Sequence, residues 1–360
     1  MTRSIVFLVD QVQDVNILRP LLGLARQASQ ADISVLASAM FYRRDTTLLW
    51  QTELREICGR HEIPIFNFAS EFEAVNFLQG SRGLLISSAE SNAAAHAVAH
   101  NVFRAAPSSY VKVTLQHGLE CVGFLHNSAH DRAHGQYPAF NADVICGWFG
   151  GDILRSVGAG ERSKLYITGP TLLLPQGEIG IDDVAAEAGS RPACLVCENL
   201  HSVRLGGTAL KSNFIAQFTD FATRAVNEGE DVWLRPHPAG RFTDVKGVAL
   251  PHGVRKSAGP IYREDMRRYR FAISAPSSIL LDFIVAGVPV AVWQDAERQI
   301  DCRNYPGLPV ISRSGDWWQF ATNIERDRDH LLAEQQTFLT GLQIPGNVEE
   351  RYRDLLLSCG

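Results

Sequence analysis

The sequence lacks an apolar run long enough to cross a membrane. No stretch of the 360 residues approaches the roughly 18 consecutive apolar residues that a transmembrane helix needs. The apolar residues 5–9 near the start are too few for the core of a signal peptide, and Asp10 follows them directly. We therefore expect a cytoplasmic protein without a transmembrane segment. Peripheral contact with the inner face of the membrane stays open.

Excess charge and a disulfide framework are missing as well. The 34 Lys and Arg residues are outnumbered by 39 Asp and Glu, which gives a formal net charge of −5. This balance excludes the global basic footprint of a nucleic-acid-binding protein. The seven cysteines are odd in number and scattered, as reduced intracellular thiols are. We expect no nucleic-acid partner.

The common phosphate and metal motifs are also absent. No GxGxxG follows the first apolar run, and no GxxxxGK[ST] occurs anywhere, which weakens dinucleotide and P-loop interpretations. Cys194 and Cys197 have CxxC spacing, but they lie in an apolar run and no second pair exists, so zinc is not expected. His126, His130 and His134 are spaced four apart in a polar stretch that we interpret as a loop at the cleft rather than a metal site.

The sequence does contain β-branched runs that alternate with helical patterns, which is typical of parallel sheets covered by helices. We predict strands at 4–10, 33–39, 64–69, 83–89, 112–118, 142–148 and 164–169, then at 193–198, 231–235, 271–274, 288–293 and 308–312. We predict helices at 16–29, 47–60, 71–79, 92–105, 152–157, 212–227, 261–268, 278–286, 316–341 and 348–359.

This pattern predicts an α/β protein with two doubly wound, Rossmann-like domains that face each other across a cleft. The chain is longer than one core usually supports. The expected domains are residues 1–170 and 192–330, joined by a linker rich in Pro, Gly and acidic residues at 171–191 and followed by closing helices at 331–360. Such domains bind ligands at the carboxyl ends of their strands.

Three polar segments follow predicted strands. Gln116-His117-Gly118 carries a histidine that either moves protons or only bonds a loop carbonyl. Arg235-Pro236-His237-Pro238 is a stiff turn suited to an anion such as phosphate, unless it is a rigid loop with an exposed histidine. Ser274 and the pair Ser277-Ser278 precede an apolar helix, where serines either cap the helix or bind phosphate.

Two glutamates occupy similar places. Glu198 ends the first strand of the second domain, and Glu90 follows a strand of the first. For each, a catalytic or hydroxyl-binding role competes with simple capping of the next segment.

Together these segments resemble a known family. Gln116-His117-Gly118, Arg235-Pro236-His237-Pro238, and Ser277-Ser278 followed by Leu281-Asp282-Phe283 resemble motifs of the two-Rossmann-domain (GT-B) glycosyltransferases. The most similar group builds bacterial capsule, lipopolysaccharide and teichoic acid chains. It includes CDP-glycerol glycerophosphotransferases, sialyltransferases and Kdo transferases.

The resemblance implies transfer of a sugar or polyol phosphate from a CMP- or CDP-activated donor to a cell-surface glycan acceptor, without a metal and with the nucleotide as substrate rather than cofactor. It places His237, Ser277 and Ser278 on the donor phosphate and His117 at the reaction centre, with Glu198 a looser match in reserve as the catalytic residue. From their positions we also expect Arg235, Ser274 and Asp282 on the donor nucleotide and phosphate, and Glu90, Gln116 and Gly118 on the acceptor.

Two other functions remain open. UDP-N-acetylglucosamine 2-epimerases share this architecture, although they usually carry more acidic residues in the turn and helix where this chain has only Asp282. A non-catalytic sugar-binding protein also has two α/β domains.

Overall fold

The computed structural model describes residues 2–175, 193–200, 207–238, 240–257 and 259–358. They form two compact units. The first contains residues 2–126, 134–175 and 343–358, and the second contains 127–133 and the described residues from 193 to 342. Of the predicted linker, 176–191 lie outside the described residues, and Thr171–Leu173 form a 3-10 turn of the first unit. No helix in the described segments is both long and apolar enough to span a membrane.

The first unit is built on a seven-stranded sheet in which every neighbouring pair is parallel. Its strands are β1 (Thr2–Val9), β2 (Asp32–Ser38), β3 (Ile65–Phe68), β4 (Ser81–Ser87), β5 (Tyr110–Leu115), β6 (Val144–Gly147) and β7 (Leu165–Ile167). They lie in the order β3-β2-β1-β4-β5-β6-β7. The buried parts of the central strands are apolar runs, residues 5–9 in β1 and 84–86 in β4, as in strands that are covered on both faces.

The helices of the first half of the chain are α1 (Val12–Ala28), α2 (Ala39–Arg44), α3 (Leu49–Arg60), α4 (Glu71–Leu78), α5 (Ala97–Ala105) and α6 (Ser128–His134). Helix α1 begins at a capping box in which the Asp14 side chain accepts from the backbone of Gln11, the residue before the helix. This start also brings Asp14 to the carboxyl end of β1.

The second unit contains a six-stranded parallel sheet in the order β10-β9-β8-β11-β12-β13. Its strands are β8 (Ala193–Cys197), β9 (Val232–Arg235), β10 (Arg255–Lys256), β11 (Tyr269–Ser274), β12 (Val290–Trp293) and β13 (Val310–Ile311). Its helices are α7 (Thr208–Asn227), α8 (Phe242–Val245), α9 (Ile279–Val285) and α10 (Ser314–Gly341), and α11 (Val348–Leu357) returns to the first unit. Phe214 packs edge-on against both Trp293 and Trp317 in its core.

Both sheets confirm the predicted doubly wound α/β class. In the first sheet the chain adds β2 and β3 on one side of the central strand β1 and then adds β4 on the other side. In the second sheet it adds β9 and β10 on one side of β8 and then β11 on the other. The carboxyl ends of parallel strands at such a reversal are where open α/β sheets bind ligands. We call these places the first edge and the second edge.

Three predicted segments differ in the structure. Residues 152–157 are turns rather than a helix. The Arg162 side chain donates hydrogen bonds to the carbonyls of Gly151 and Leu154, which in a helix would accept from backbone amides. Residues 261–268 form two short 3-10 turns, Ile261–Arg263 and Met266–Arg268. The predicted loop around His130 contains α6, whose first turn is capped by Asn127: its side-chain oxygen accepts from the amides of Ala129 and His130.

Candidate functional site

The first edge places His117 just beyond the end of β5. Its Nδ1 lies 2.9 Å from the backbone oxygen of Ser88, which follows β4. A carbonyl only accepts, so Nδ1 carries the hydrogen and Nε2 holds the lone pair of a neutral ring. Burial lowers the pKa of His117 below its ordinary value, and the bond to Ser88 offsets only part of that effect. The imidazole is therefore neutral at neutral pH, with Nε2 able to accept a proton.

Two further side chains surround this ring. The sulfur of Cys121 is 3.3 Å from Nδ1, and the His96 ring stands edge-on to His117 with 5.6 Å between centroids. His96 is held in turn by the hydroxyl of Ser91, 2.7 Å from its Nδ1. Burial lowers the pKa of His96 to about 3, and the neighbouring His117 contributes in the same direction. His96 is therefore uncharged at neutral pH, and its ring packs against that of His117.

Gln116 holds the turn that presents His117. Its side-chain nitrogen donates to the backbone oxygen of Gly118 at 2.7 Å, and its side-chain oxygen accepts from the amide of Trp148 at 2.9 Å. The side chain is fully buried, and Gly118 is buried with it. These contacts tie the end of β5 to the end of β6 and hold the turn that presents His117, while contact of Gln116 and Gly118 with an acceptor stays a prediction.

Glu90 is sealed inside the first unit. Its carboxylate accepts from His100 Nδ1 at 2.6 Å and from the amides of Asn141 and Ala142 at 3.0 and 3.2 Å. Burial raises the pKa of Glu90, and these hydrogen bonds oppose the increase. With 1% of its surface exposed, Glu90 links three chain segments and does not reach an acceptor in this conformation.

At the second edge, the carboxylate of Glu198 is also occupied by internal hydrogen bonds, and its catalytic role stays a prediction. It follows β8 and accepts from the amide of Phe242 and from both the amide and the hydroxyl of Thr243, at 3.0 and 2.5 Å. These groups begin α8, so the glutamate caps that helix. Burial raises the pKa of Glu198, and the hydrogen bonds from Thr243 and Phe242 counteract it.

Arg235 forms an internal ion pair at the end of β9. Its guanidinium donates to Glu264 and to the hydroxyl of Ser257, each at 3.0 Å, and only 4% of the residue is exposed. Glu264 lies in the segment predicted as a helix, which is broken here into two turns. The positive charge of Arg235 is therefore largely neutralised within the protein, which leaves little of it for a donor phosphate.

The loop after β11 carries the serines. Ser274 is fully buried and donates to the backbone oxygen of Ala275 at 2.7 Å, so it stabilises the strand end. Ser277 is nearly buried, and Ser278 stands directly before α9 without making a side-chain capping bond to that helix. Simple helix capping is therefore not what Ser278 does. Asn199 fixes this turn by donating to the backbone oxygen of Pro276 at 2.6 Å.

Asp282 lies one helical turn beyond Ser278, on α9. Burial raises the pKa of this carboxyl to about 7, although the charge of Arg235 pulls it down. Part of the residue nevertheless remains exposed to solvent. In the described part of the chain, its own backbone N–H is the one group that donates to this carboxylate. Asp282 thus keeps acceptor capacity for a ligand hydroxyl.

His237 is half-buried in the stiff turn after β9. Its backbone oxygen accepts from the amides of Gly240 and Arg241, at 3.1 and 2.9 Å, which closes the turn. Arg241 then begins α8 in the left-handed region, with φ of 40°. His237 follows β9, and Ser277, Ser278 and Asp282 follow β11, with β8 between these two strands, so both groups lie at the carboxyl end of the same sheet.

The histidines around α6 are structural. His126 Nε2 accepts from the amide of Gly123 at 2.6 Å, and His130 Nδ1 lies 3.5 Å from the amide of Asn127. His134 ends the helix. Across the described segments, no group of three or more His, Cys, Asp or Glu side chains has the geometry to hold a metal ion.

Four residues at the first edge carry no signal in the sequence that singles them out: Asp14, Ser88, His96 and Cys121. Ser88 and Asp14 are hydrogen-bonded to each other across the reversal between β1 and β4. The nearest feature to a signal is the position of Ser88 directly after β4, because polar residues after buried strands mark a strand-end site.

Comparison with known proteins identifies the fold. No protein-family model matches the chain, and no curated protein matches its sequence. Among solved structures, UDP-GlcNAc 2-epimerase from Neisseria meningitidis, bound to UDP-GlcNAc, has a TM-score of 0.60 at 11% identity, over 99% of this chain and 100% of that one.

Two other solved structures match over similar lengths. The wall teichoic acid polymerase TagF has a TM-score of 0.59 at 9% identity, over 98% of this chain and 88% of its own. A UDP-glycosyltransferase from Arabidopsis thaliana, in complex with UDP, has a TM-score of 0.59 at 10% identity and covers both chains completely. Identities this low show the fold alone. The chain has the GT-B fold, as its sequence motifs predict.

Proposed function

We propose that the protein is a glycosyltransferase that moves a sugar, or a polyol phosphate, from a nucleotide-activated donor to a hydroxyl of a glycan acceptor. The observation that carries this proposal is the state of His117. A carbonyl holds Nδ1 at 2.9 Å, and burial keeps the ring neutral, so Nε2 is prepared to take a proton. A general base in this state is what an attacking hydroxyl requires.

The reaction follows from that base. The acceptor hydroxyl gives its proton to Nε2 of His117 while its oxygen forms a bond to the donor carbon, or to the donor phosphorus when a polyol phosphate is transferred. The bond from that atom to the nucleotide phosphate oxygen breaks, and its electron pair leaves with the nucleotide. The imidazolium then passes the proton to solvent.

The second edge supports nucleotide binding. The partly covered carboxylate of Asp282 suits the hydroxyls of a ribose, and the Ser277-Ser278 turn with His237 suits the phosphate. Because Arg235 is paired with Glu264, these neutral or weakly basic groups make most of the expected phosphate contacts. We take CMP or CDP as the nucleotide, on the strength of the sequence motifs.

Epimerisation of UDP-N-acetylglucosamine is the second candidate, because the Neisseria epimerase has the same fold over nearly the whole chain. Epimerising a carbon requires one group to remove a proton and another to return it on the opposite face. Transfer requires a single base. Glu90 and Glu198, the carboxylates most suited to a second proton transfer, are both occupied by internal hydrogen bonds, which favours transfer.

A two-part experiment tests the proposal. Thermal shifts with CMP, CDP, UDP and GDP identify the nucleotide, since a ligand that binds only the native state stabilises it by mass action, about 2.7 kcal/mol at a hundred times Kd. The matching activated donors are then supplied with and without a mixture of bacterial glycans, and nucleotide release is measured. Release that depends on the glycans supports transfer. A new epimer formed from UDP-N-acetylglucosamine alone supports the epimerase, and sugar binding without nucleotide binding supports a non-catalytic protein.

A further inference from the structure

Ser88 joins His117 to a buried carboxylate that the proposed reaction does not use. Its backbone oxygen accepts from His117 Nδ1, and its hydroxyl donates to Asp14 in a close hydrogen bond. Both Ser88 and Asp14 are fully buried. We propose that Asp14, acting through Ser88, is the positioning residue that fixes the tautomer and the orientation of His117. The expected change in turnover rests on the proposed function, whereas the expected change in the tautomer of the His117 ring does not.

Asp14 is itself rigidly held. Its Oδ2 accepts from the amides of Asp10 and Gln11, each at 2.7 Å, which leaves Oδ1 for Ser88. These bonds secure the carboxylate to the loop between β1 and α1. Since β1 neighbours β4 and β4 neighbours β5, the three residues connect three adjacent strand ends.

The directions of these hydrogen bonds determine the tautomer. Burial raises the pKa of Asp14 to about 6, so the carboxyl group is mainly ionised at neutral pH. Two amides can only donate to it, and an ionised carboxylate can only accept, so the Ser88 hydroxyl donates. Held by that bond, Ser88 keeps its carbonyl against Nδ1 of His117. Because this carbonyl only accepts, the hydrogen stays on Nδ1 and the lone pair on Nε2.

The thiol of Cys121 lies close enough to His117 to influence which ring nitrogen carries the hydrogen. The sulfur of Cys121 lies 3.3 Å from Nδ1 and 3.7 Å from Nε2, and burial raises the pKa of that thiol to about 12, so it keeps its hydrogen at neutral pH. A thiol that donated to Nδ1 would favour the opposite tautomer, with the hydrogen on Nε2 and no lone pair there for an acceptor hydroxyl. The Ser88 carbonyl decides between the two.

The test is ¹⁵N NMR of the full chain with labelled histidine, without substrate, and with the His117 signals assigned from a His117→Gln variant. We expect wild-type His117 to be mainly the Nδ1–H tautomer. Ser88→Ala removes the bond to Asp14 and should shift a measurable fraction to Nε2–H. Ser87→Ala is the matched control, because Ser87 is the preceding buried serine, and its hydroxyl accepts only a long, 3.4 Å bond from Ala89. It should leave the tautomer unchanged.

Asp14→Asn provides a second variant. Its amide oxygen still accepts from the loop amides and keeps the start of α1, while its NH₂ group donates to Ser88 and reverses that bond. Because the amide still bonds Ser88, but without the charge of the carboxylate, we expect a smaller shift in the tautomer than in Ser88→Ala. An unchanged tautomer in Ser88→Ala and Asp14→Asn, with both variants folded by circular dichroism, overturns the inference.

Turnover separates the inference from the proposed function. With the donor that gives nucleotide release, Ser88→Ala should lower kcat between about 10- and 100-fold with KM near the wild-type value, as expected for a misplaced reacting group. A changed tautomer with unchanged kcat supports the positioning role and counts against His117 as the base. A lower kcat with an unchanged tautomer contradicts the positioning role.

Discussion

Glu198 and Thr243 are joined by two hydrogen bonds, from the amide at 3.0 Å and from the hydroxyl at 2.5 Å, although 44 residues separate them. The contact converts a glutamate with the sequence position of a catalytic residue into the cap of α8. It also holds the stiff turn of His237, which lies between the end of β9 and that helix.

The first prediction concerns this cap. Glu198→Gln should lower the free energy of unfolding by about 1–3 kcal/mol, since its NH₂ group replaces one accepting oxygen and leaves a buried donor at the start of α8 without its partner. Turnover should stay within a few-fold of wild type. Urea denaturation and initial rates measure both, with Glu325→Gln, an exposed residue of α10, as the control. A rate loss of a hundredfold or more with unchanged stability would show that Glu198 is catalytic.

The second prediction concerns Asp282. Its folded pKa, about 7, lies above the value near 3.8 in an unfolded chain, so the folded state holds this proton more tightly. The carboxyl therefore contributes stability that is present below about pH 4 and is lost as the pH rises through 7. Asp282→Asn should become increasingly more stable than wild type across that range, by urea denaturation. A constant difference would contradict this pKa.

The third prediction concerns His237. His237→Ala should weaken binding of the nucleotide selected in the thermal-shift panel by about 1.5–3 kcal/mol, the range for a hydrogen bond to a charged group. Isothermal titration measures this, and the melting temperature without ligand should change little. His252→Ala, an exposed histidine of the same unit, is the control. An unchanged affinity removes His237 from the site.

The fourth prediction concerns metal ions. The described residues provide no cluster of carboxylates and histidines with the geometry of a metal site. The phosphate contacts proposed at the second edge are hydroxyl and imidazole groups. Turnover should therefore persist in excess EDTA. Complete loss that Mg²⁺ restores would reveal carboxylate ligands that the account omits.

The fold was largely predictable because strands and helices leave their patterns in residues that are close together in the sequence. Apolar runs such as residues 4–10 and 271–274 have few ways to be buried except as central strands, and their order along the chain defines two doubly wound sheets. Two segments differ, 152–157 and 261–268, and in both a side chain makes a contact that the local pattern does not show. Arg162 donates to two carbonyls of the first segment, and Glu264 of the second is paired with Arg235, 29 residues earlier in the chain.

The site was only partly predictable, for the same reason. His117 is a candidate from the sequence because a histidine that directly follows a predicted strand is visible there, and its role stays a prediction. The partners that occupy Glu90, Glu198 and Arg235 lie between 10 and 52 residues away and come together only in the fold. A sequence pattern identifies residues at strand ends. It does not distinguish a carboxylate that faces a ligand from one that is occupied by backbone amides.

The central claim is that His117 is the base, and its direct test is the turnover of His117→Ala beside Glu198→Gln with the same donor and glycans. General base catalysis contributes typically ~10²–10⁴ in rate, so His117→Ala should lose that factor while nucleotide affinity stays near the wild-type value. Glu198→Gln should remain within a few-fold. If His117→Ala turns over within a few-fold of wild type, His117 is not the base and the proposed mechanism is wrong.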